Sequence, residues 1–281
     1  MSDPATLVKQ VESSAQRKVT RCGGASTVWH IWGQGRPLVL VHGASGSWTH
    51  WIRNIPPLAA HFRVVVPDVP GFGDSDLPAE PHTAEAFAEL LARGLDDVVS
   101  NSEALDIAGF SFGGIIGGLV AARLGRRVGT MVLIGSGGLG LPLAAMPPLR
   151  RVDAAMSADA VRAAHRENLG VLMIARPESI DDLAVYVQTQ NVHRARFKTG
   201  SIPASDVLLQ ALPSIEARIC GIWGEDDAFA VPRIDERRRL LSAIRQDVDF
   251  RVIDGAGHWV IYEASDRVNA ALLDMLLPSA V

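Results

Sequence analysis

Two stretches of the 281-residue chain carry side chains whose types and spacing suit covalent chemistry. The first is Leu105 to Leu124, LDIAGFSFGGIIGGLVAARL. An apolar run, Leu105 to Ala108, enters Gly109-Phe110-Ser111-Phe112-Gly113 and leaves as Ile115, Ile116, Leu119 and Val120, the pattern of strand, sharp turn and helix. Ser111 stands at the tip of that turn. So sharp a turn strains its central residue, so the positions two before and two after must be small, and both are glycine. The Ser111 hydroxyl is thereby held above the carboxyl end of a sheet, where it can attack a carbonyl. The Phe112 N–H falls at a helix N-terminus, whose unpaired donors and dipole favour a developing oxyanion. The second stretch is Asp254-Gly-Ala-Gly-His258-Trp259, after the apolar run Phe250 to Ile253. A histidine on a glycine-flanked loop beyond a strand can reach across to such a turn. An imidazole ordinarily titrates near neutrality, so it can take a serine proton and return it to a leaving group.

GFSFG followed by Gly114 resembles the nucleophile elbow of the α/β-hydrolase family. Other loops resemble that family in the same order. The apolar run Pro37 to Val41, as expected of a parallel strand covered on both faces, opens into His42-Gly43-Ala44-Ser45-Gly46-Ser47. The resemblance implies that the Ala44 N–H is the second oxyanion donor beside Phe112. A phosphate-cradling loop would need a lysine that this one lacks. Asp68-Val-Pro-Gly-Phe-Gly-Asp-Ser75 resembles the family's DxxGxGxS loop, with a structural role near the sheet edge. Gly224-Glu225-Asp226-Asp227, before Pro232, resembles the acid loop. Its spacing selects Asp227 as the carboxylate that holds the imidazole in one tautomer, with Glu225 and Asp226 solvated or loop-closing. Of eight histidines, His42 and His258 lie beyond strands in motif context, and His42 belongs to the oxyanion loop by resemblance. His258 is then the general base, and the order Ser111, Asp227, His258 is that of α/β-hydrolases. Ser45, Phe110 and Trp259 are expected beside the substrate.

The elements that must position these residues read as an α/β protein. The resemblance implies an α/β-hydrolase fold, with a mainly parallel eight-stranded sheet flanked by helices. The core is expected from residues 1–134 and 215–281, with a helical lid, 135–214, inserted after the sixth strand. Asp3 and Pro4 read as the start of a short helix, and Gly23-Gly24 as the turn of a hairpin between Arg17–Cys22 and Ser26–Trp32. Thr83 caps a helix with Phe87, Leu90, Leu91, Leu95 and Val98 on one face. After the strand Thr130 to Ile134 the alternation stops, from Gly135 to about Ser214. The segments there contain Met156, Val161, Leu169, Leu172, Met173, Leu183, Val185 and Val187, which either line an apolar pocket or hold the lid to the body. Asn191, His193, Arg194 and Arg196 form a polar cluster, read as solvent-exposed or as anion-recognising.

Composition narrows the function. With 48% hydrophobic residues the chain can bury a substantial core, and its net charge of −4 comes from interspersed signs, without the footprint of a nucleic-acid or anionic-membrane binder. No apolar stretch is long enough to span a bilayer, and the N-terminus lacks signal-peptide features, so the expectation is a cytoplasmic protein. Cys22 and Cys220 form neither a disulfide framework nor a CxxC site. The expected reaction needs no metal or organic cofactor. The expected partner is a small-molecule substrate, and the chain a monomer or homodimer.

Family members that open epoxides or cleave carbon–halogen bonds use aspartate at the elbow, and Ser111 argues against both. Serine implies acyl transfer, first on a small, largely apolar carboxylic ester. A second reading is hydrolysis of a carbon–carbon bond in vinylogous diketones from aromatic ring breakdown, because GHWxxxE from Gly257 to Glu263 is similar to those hydrolases. Those enzymes carry a GxGPG-like loop and GNSMGG, where this chain has Ala44-Ser45-Gly46 and GFSFGG. GFSFGG also resembles cofactor-free haloperoxidases and perhydrolases, and a ligand-sensing receptor on the same fold is the reading from outside enzymology.

Overall fold

The computed structural model describes residues 3–144, 147–153 and 155–277. Helix α1 (Pro4–Ser13) starts where expected: the Asp3 carboxylate accepts from the Thr6 N–H at 3.0 Å, and proline occupies the first helical position. A hairpin of β1 (Gln16–Cys22) and β2 (Ala25–Trp32) follows, turning at Gly23 and Gly24 with φ of 60° and 81°. Next come β3 (Pro37–Val41), the short α2 (Ile55–Ala59), β4 (Arg63–Pro67), α3 (Ala84–Val98), β5 (Leu105–Phe110), α4 (Phe112–Leu124) and β6 (Val128–Ile134). Between β6 and β7 (Arg218–Gly224) lies an insertion with α5 (Ala158–Leu172), α6 (Asp182–Arg194) and α7 (Val207–Ala211). The chain ends through α8 (Ile234–Ile244), β8 (Asp249–Ile253), α9 (Val260–Glu263) and α10 (Ser265–Leu276).

The eight strands form one sheet in the order β1-β2-β4-β3-β5-β6-β7-β8. β2 runs antiparallel to β1 and β4, and every other neighbouring pair is parallel. This is the α/β-hydrolase fold expected from the sequence. All residues of β3 and β5 are buried, because both faces of the sheet are covered. Strand alternation divides the core accordingly. Leu38 and Leu40 pack with α2, α10 and the insertion's Leu169 and Val187, whereas Val39 and Val41 pack with Phe87 and Leu91 of α3 and Ile115 of α4. Thr83 caps α3 by accepting from the Ala86 N–H. No helix among the described residues is long and apolar enough to cross a membrane.

The loop after β4 is built around a buried carboxylate. Asp68 accepts from the Trp48 and Asp74 N–H groups, both at 2.9 Å, and burial pushes its pKa up to about 7 against those bonds. Gly73 is required there, since a β-carbon would stand 2.3 Å from the Asp68 carboxyl. Ser75 donates to the Asp68 carbonyl and accepts from the Val28 N–H, stitching this loop to β2.

Polar fasteners hold the insertion to the sheet. Asn191 is buried, contrary to the solvent-exposed reading, and its Oδ1 accepts from Ser47 Oγ at 2.7 Å and Thr49 Oγ1 at 3.1 Å. Arg196 donates to the carbonyls of Gly73 and Ser75, and Arg194 pairs with Asp74, so neither guanidinium is arranged for anion recognition. His193 is exposed. Glu263, the last residue of GHWxxxE, accepts from the N–H groups of Ala175, Arg176 and Gly257 at 3.0, 2.8 and 2.7 Å. It joins the insertion to the loop that carries His258. Replacing Glu263 by alanine strands these donors, and we expect a loss of about 3–5 kcal/mol in urea unfolding, with Glu263→Gln losing less. An unchanged midpoint for Glu263→Ala would show that the junction carries no load.

Candidate active site

The turn between β5 and α4 is fixed by backbone packing. A β-carbon on Gly109 would lie 2.3 Å from the Gly113 carbonyl oxygen, and one on Gly113 would lie 2.2 Å from that of Val41. The chain therefore folds back on itself and against β3 with no room for a side chain. Ser111 is forced to φ 54° and ψ −117°, a region that non-glycine residues rarely occupy. Its N–H donates to the Ile134 carbonyl at 2.8 Å, which ties the strained residue to β6.

The three residues picked from separate loops meet here. His258 Nε2 lies 2.9 Å from Ser111 Oγ, and Nδ1 lies 2.9 Å from Asp227 Oδ2. With the carboxylate accepting from Nδ1–H, Nε2 is left free to accept from the serine hydroxyl. Asp227 is 1% exposed, and its second oxygen accepts from the Phe229 N–H at 2.9 Å. The imidazole is gripped by Phe110 and Phe229, with ring centroids 5.1 and 4.5 Å away. Glu225 accepts from the Gly255 N–H and so closes the acid loop on the histidine loop, while Asp226 is exposed.

The loop after β3 forms the facing wall. A β-carbon on Gly43 would stand 3.2 Å from Ser111 Cβ. Among the described residues the N–H groups of Ala44 and Phe112 have no protein acceptor. His42 holds the loop from behind: Nδ1 donates to the Gly43 carbonyl, and Nε2 accepts from the Val69 N–H, both at 2.8 Å. Burial lowers its pKa to about 4, so the ring is neutral. His50 lies beneath Gly46, where an added β-carbon would meet its ring at 2.3 Å, and burial holds its pKa well below the ordinary histidine value. Such an arrangement can pass a proton from Ser111 to His258 and stabilise an oxyanion with Ala44 and Phe112.

Two cavities meet at Ser111 and His258. The larger, about 400 Å³, is lined by Gly43, Ala44, Ser45 and Phe110 on the sheet side and by Leu149, Val152, His165, Leu172, Met173 and Gln188 from the insertion. The smaller, about 30 Å³, lies on the Asp227 side. Ser45 and Phe110 border the larger cavity. Trp259 does not: it is fully buried, donates from Nε1 to the His50 carbonyl at 3.1 Å and stacks on Tyr262 at 4.3 Å. Its side chain lies in the core because the His50 carbonyl and the Tyr262 ring give its N–H and its ring face their partners there. The insertion's apolar residues divide between both expected roles. Leu172 and Met173 face the cavity, whereas Leu169, Val185 and Val187 are packed in the core. Sequence reasoning missed Arg237, a buried arginine that donates to the carbonyls of Phe229 and Ala230 and so props the acid loop. Its place in an arginine-rich helix gave no signal. Among the described residues no group of three or more His, Cys, Asp or Glu side chains is placed to hold a metal ion.

Residues 38–271 match the family model described as "Alpha/beta hydrolase family". The chain is 30% identical to a 2-hydroxy-6-oxo-6-phenylhexa-2,4-dienoate hydrolase of Burkholderia cepacia, over 87% of this chain and 88% of that protein. Its fold resembles a meta-cleavage product hydrolase from Pseudomonas fluorescens IP01, with a TM-score of 0.74, 23% identity and coverage of 92% of this chain and 96% of that one. It equally resembles a putative aryl esterase from Burkholderia cenocepacia, with a TM-score of 0.75, 20% identity and coverage of 93% and 97%.

The close backbone approach makes the elbow glycines sensitive. Gly109→Ala and Gly113→Ala are each expected to destabilise the protein by about 1–3 kcal/mol and to lose labelling of Ser111 by a fluorophosphonate. Calorimetry and gel-based labelling check both effects, and full labelling in either variant would contradict the close backbone packing at Gly109 and Gly113.

Proposed function

The chain belongs to the alpha/beta hydrolase family, and on that premise we propose that it is a serine hydrolase cleaving a small, largely apolar carboxylic ester. The observation that carries this reading is the hydrogen-bonded chain from Ser111 through His258 to Asp227, with the serine strained at the mouth of a helix. Ser111 Oγ adds to the substrate carbonyl as its proton passes to His258 Nε2. The Ala44 and Phe112 N–H groups take the oxyanion, and Asp227 stabilises the imidazolium. Collapse returns the proton to the leaving alcohol and leaves an acyl group on Ser111. Water, deprotonated by His258, then releases the acid. Residues 135–214 serve as the lid that walls the substrate off from solvent.

The walls favour a neutral substrate. Leu149, Val152, Leu172 and Met173 face the larger cavity, beside the polar side chains of Ser45, His165, Asn168 and Gln188. The cation among its described lining residues, Arg150, is exposed and paired with Glu167 at 2.9 Å. A second reading, hydrolysis of a carbon–carbon bond in a dienoate ring-fission product, is supported by the names of the relatives and uses the same serine, histidine and aspartate. The two differ in what they ask of the cavity, because a dienoate brings a carboxylate that must be desolvated against these walls.

p-Nitrophenyl esters of graded chain length are the direct test. Turnover is expected in the parent, with a loss of roughly 10⁶-fold for Ser111→Ala and about 10⁴-fold for Asp227→Asn. A kcat/KM for 2-hydroxy-6-oxo-6-phenylhexa-2,4-dienoate above that of the best ester would move the assignment to carbon–carbon cleavage. Failure of a fluorophosphonate to label the folded parent would overturn Ser111 as nucleophile.

A further inference from the structure

Ser111 and His258 form the shared wall of two chambers of very unequal size. One, beneath the insertion, measures about 400 Å³, and the other, on the Asp227 side, about 30 Å³. A water molecule needs roughly 10–15 Å³ of such space, so the smaller chamber takes a group of one or two heavy atoms.

That asymmetry has chemical meaning at a tetrahedral centre. An adduct on Ser111 has four substituents: Oγ, the oxyanion and the two groups that flanked the carbonyl. With Oγ fixed by the elbow and the oxyanion on the Ala44 and Phe112 N–H groups, the two remaining groups must share the two chambers. Resting on the assignment of Ser111 as nucleophile, we propose that one flanking group of the substrate is no larger than methyl or methoxy, while the other extends beneath the insertion. The substrate class is then acetyl esters of bulky alcohols or methyl esters of bulky acids.

The small chamber is small because its walls are anchored. Trp223 is fully buried and stacked on Phe250 at 5.0 Å. Phe229 is tethered through its N–H to Asp227 and through its carbonyl to the buried Arg237. Pro203 is held by the Gly138 N–H, which donates to its carbonyl at 2.9 Å, and its backbone packs against Gly137 with no room for a β-carbon. Leu143 differs from these: it lines the chamber, is half-buried and sits outside regular secondary structure. It is the wall that can be cut back without emptying the core.

Phosphonofluoridates test the idea independently of which bond the enzyme cleaves. Ser111 Oγ forms a bond to phosphorus, the P–F bond breaks with its electron pair leaving on fluoride, and the serine proton goes to His258. Methyl octylphosphonofluoridate presents one small and one large group, and butyl octylphosphonofluoridate two large ones. The methyl compound is expected to inactivate the parent about 10- to 100-fold faster. Leu143→Ala should raise the butyl rate and narrow the gap, with circular dichroism verifying the fold. The parent's two rates decide the matter even if the variant does not fold. Equal rates, with Ser111 labelled by both, would overturn the two-chamber proposal and leave the nucleophile standing. Labelling by neither would remove the nucleophile and the proposal with it. Turnover of octyl acetate against methyl nonanoate then tells whether the acyl or the alcohol group enters the small chamber.

Discussion

Gly113 presses its bare α-carbon against the end of β3, so close that a β-carbon would stand 2.2 Å from the Val41 carbonyl oxygen and 2.5 Å from that of His42. The rest of the site depends on this contact. It draws the start of α4 against the start of the Gly43–Ser47 loop, which places the helix N-terminus and that loop on either side of Ser111. It also leaves the chain no path between β5 and α4 except through the strained conformation at Ser111. Strain of this kind costs about 1–3 kcal/mol. It is sustained because β3 and β5 are buried along their whole length and cannot shift apart without exposing the core.

Around this turn the buried polar groups have distinct roles, assigned by their partners. His42 and His50 are kept neutral by burial and support the loop from behind. His258 instead faces a carboxylate on one side and a hydroxyl on the other. Asp68 and Glu263 are also buried acids, but each is surrounded by backbone N–H donors and serves to join segments. Chemically similar side chains are thus set apart by what each is bonded to: backbone groups for His42, Asp68 and Glu263, a serine hydroxyl and a carboxylate for His258.

The insertion is part of the same construction. Asn191 fastens it to the segment after β3, Arg196 to the loop after β4, and Glu263 to the loop of His258. The roof of the larger cavity is therefore tied to the loops that carry His258 or flank Ser111. The smaller chamber is bounded by residues as distant in the chain as Leu143, Pro203 and Phe229, which meet at the carboxyl ends of β6 and β7.

Much of this was legible in the residues alone. Glycines at 109 and 113 around Ser111 announce a turn, because local backbone sterics act over a few residues and leave a compositional trace. Buried parallel strands appear as uninterrupted apolar runs, and the order of Ser111, Asp227 and His258 marks the family. The direction of Trp259, the burial of Asn191 and the prop supplied by Arg237 were not legible, because each depends on a partner far away in the chain. The cavity volumes belong to the same class. A void is the space left between segments distant in sequence, and no local pattern records how closely those segments approach.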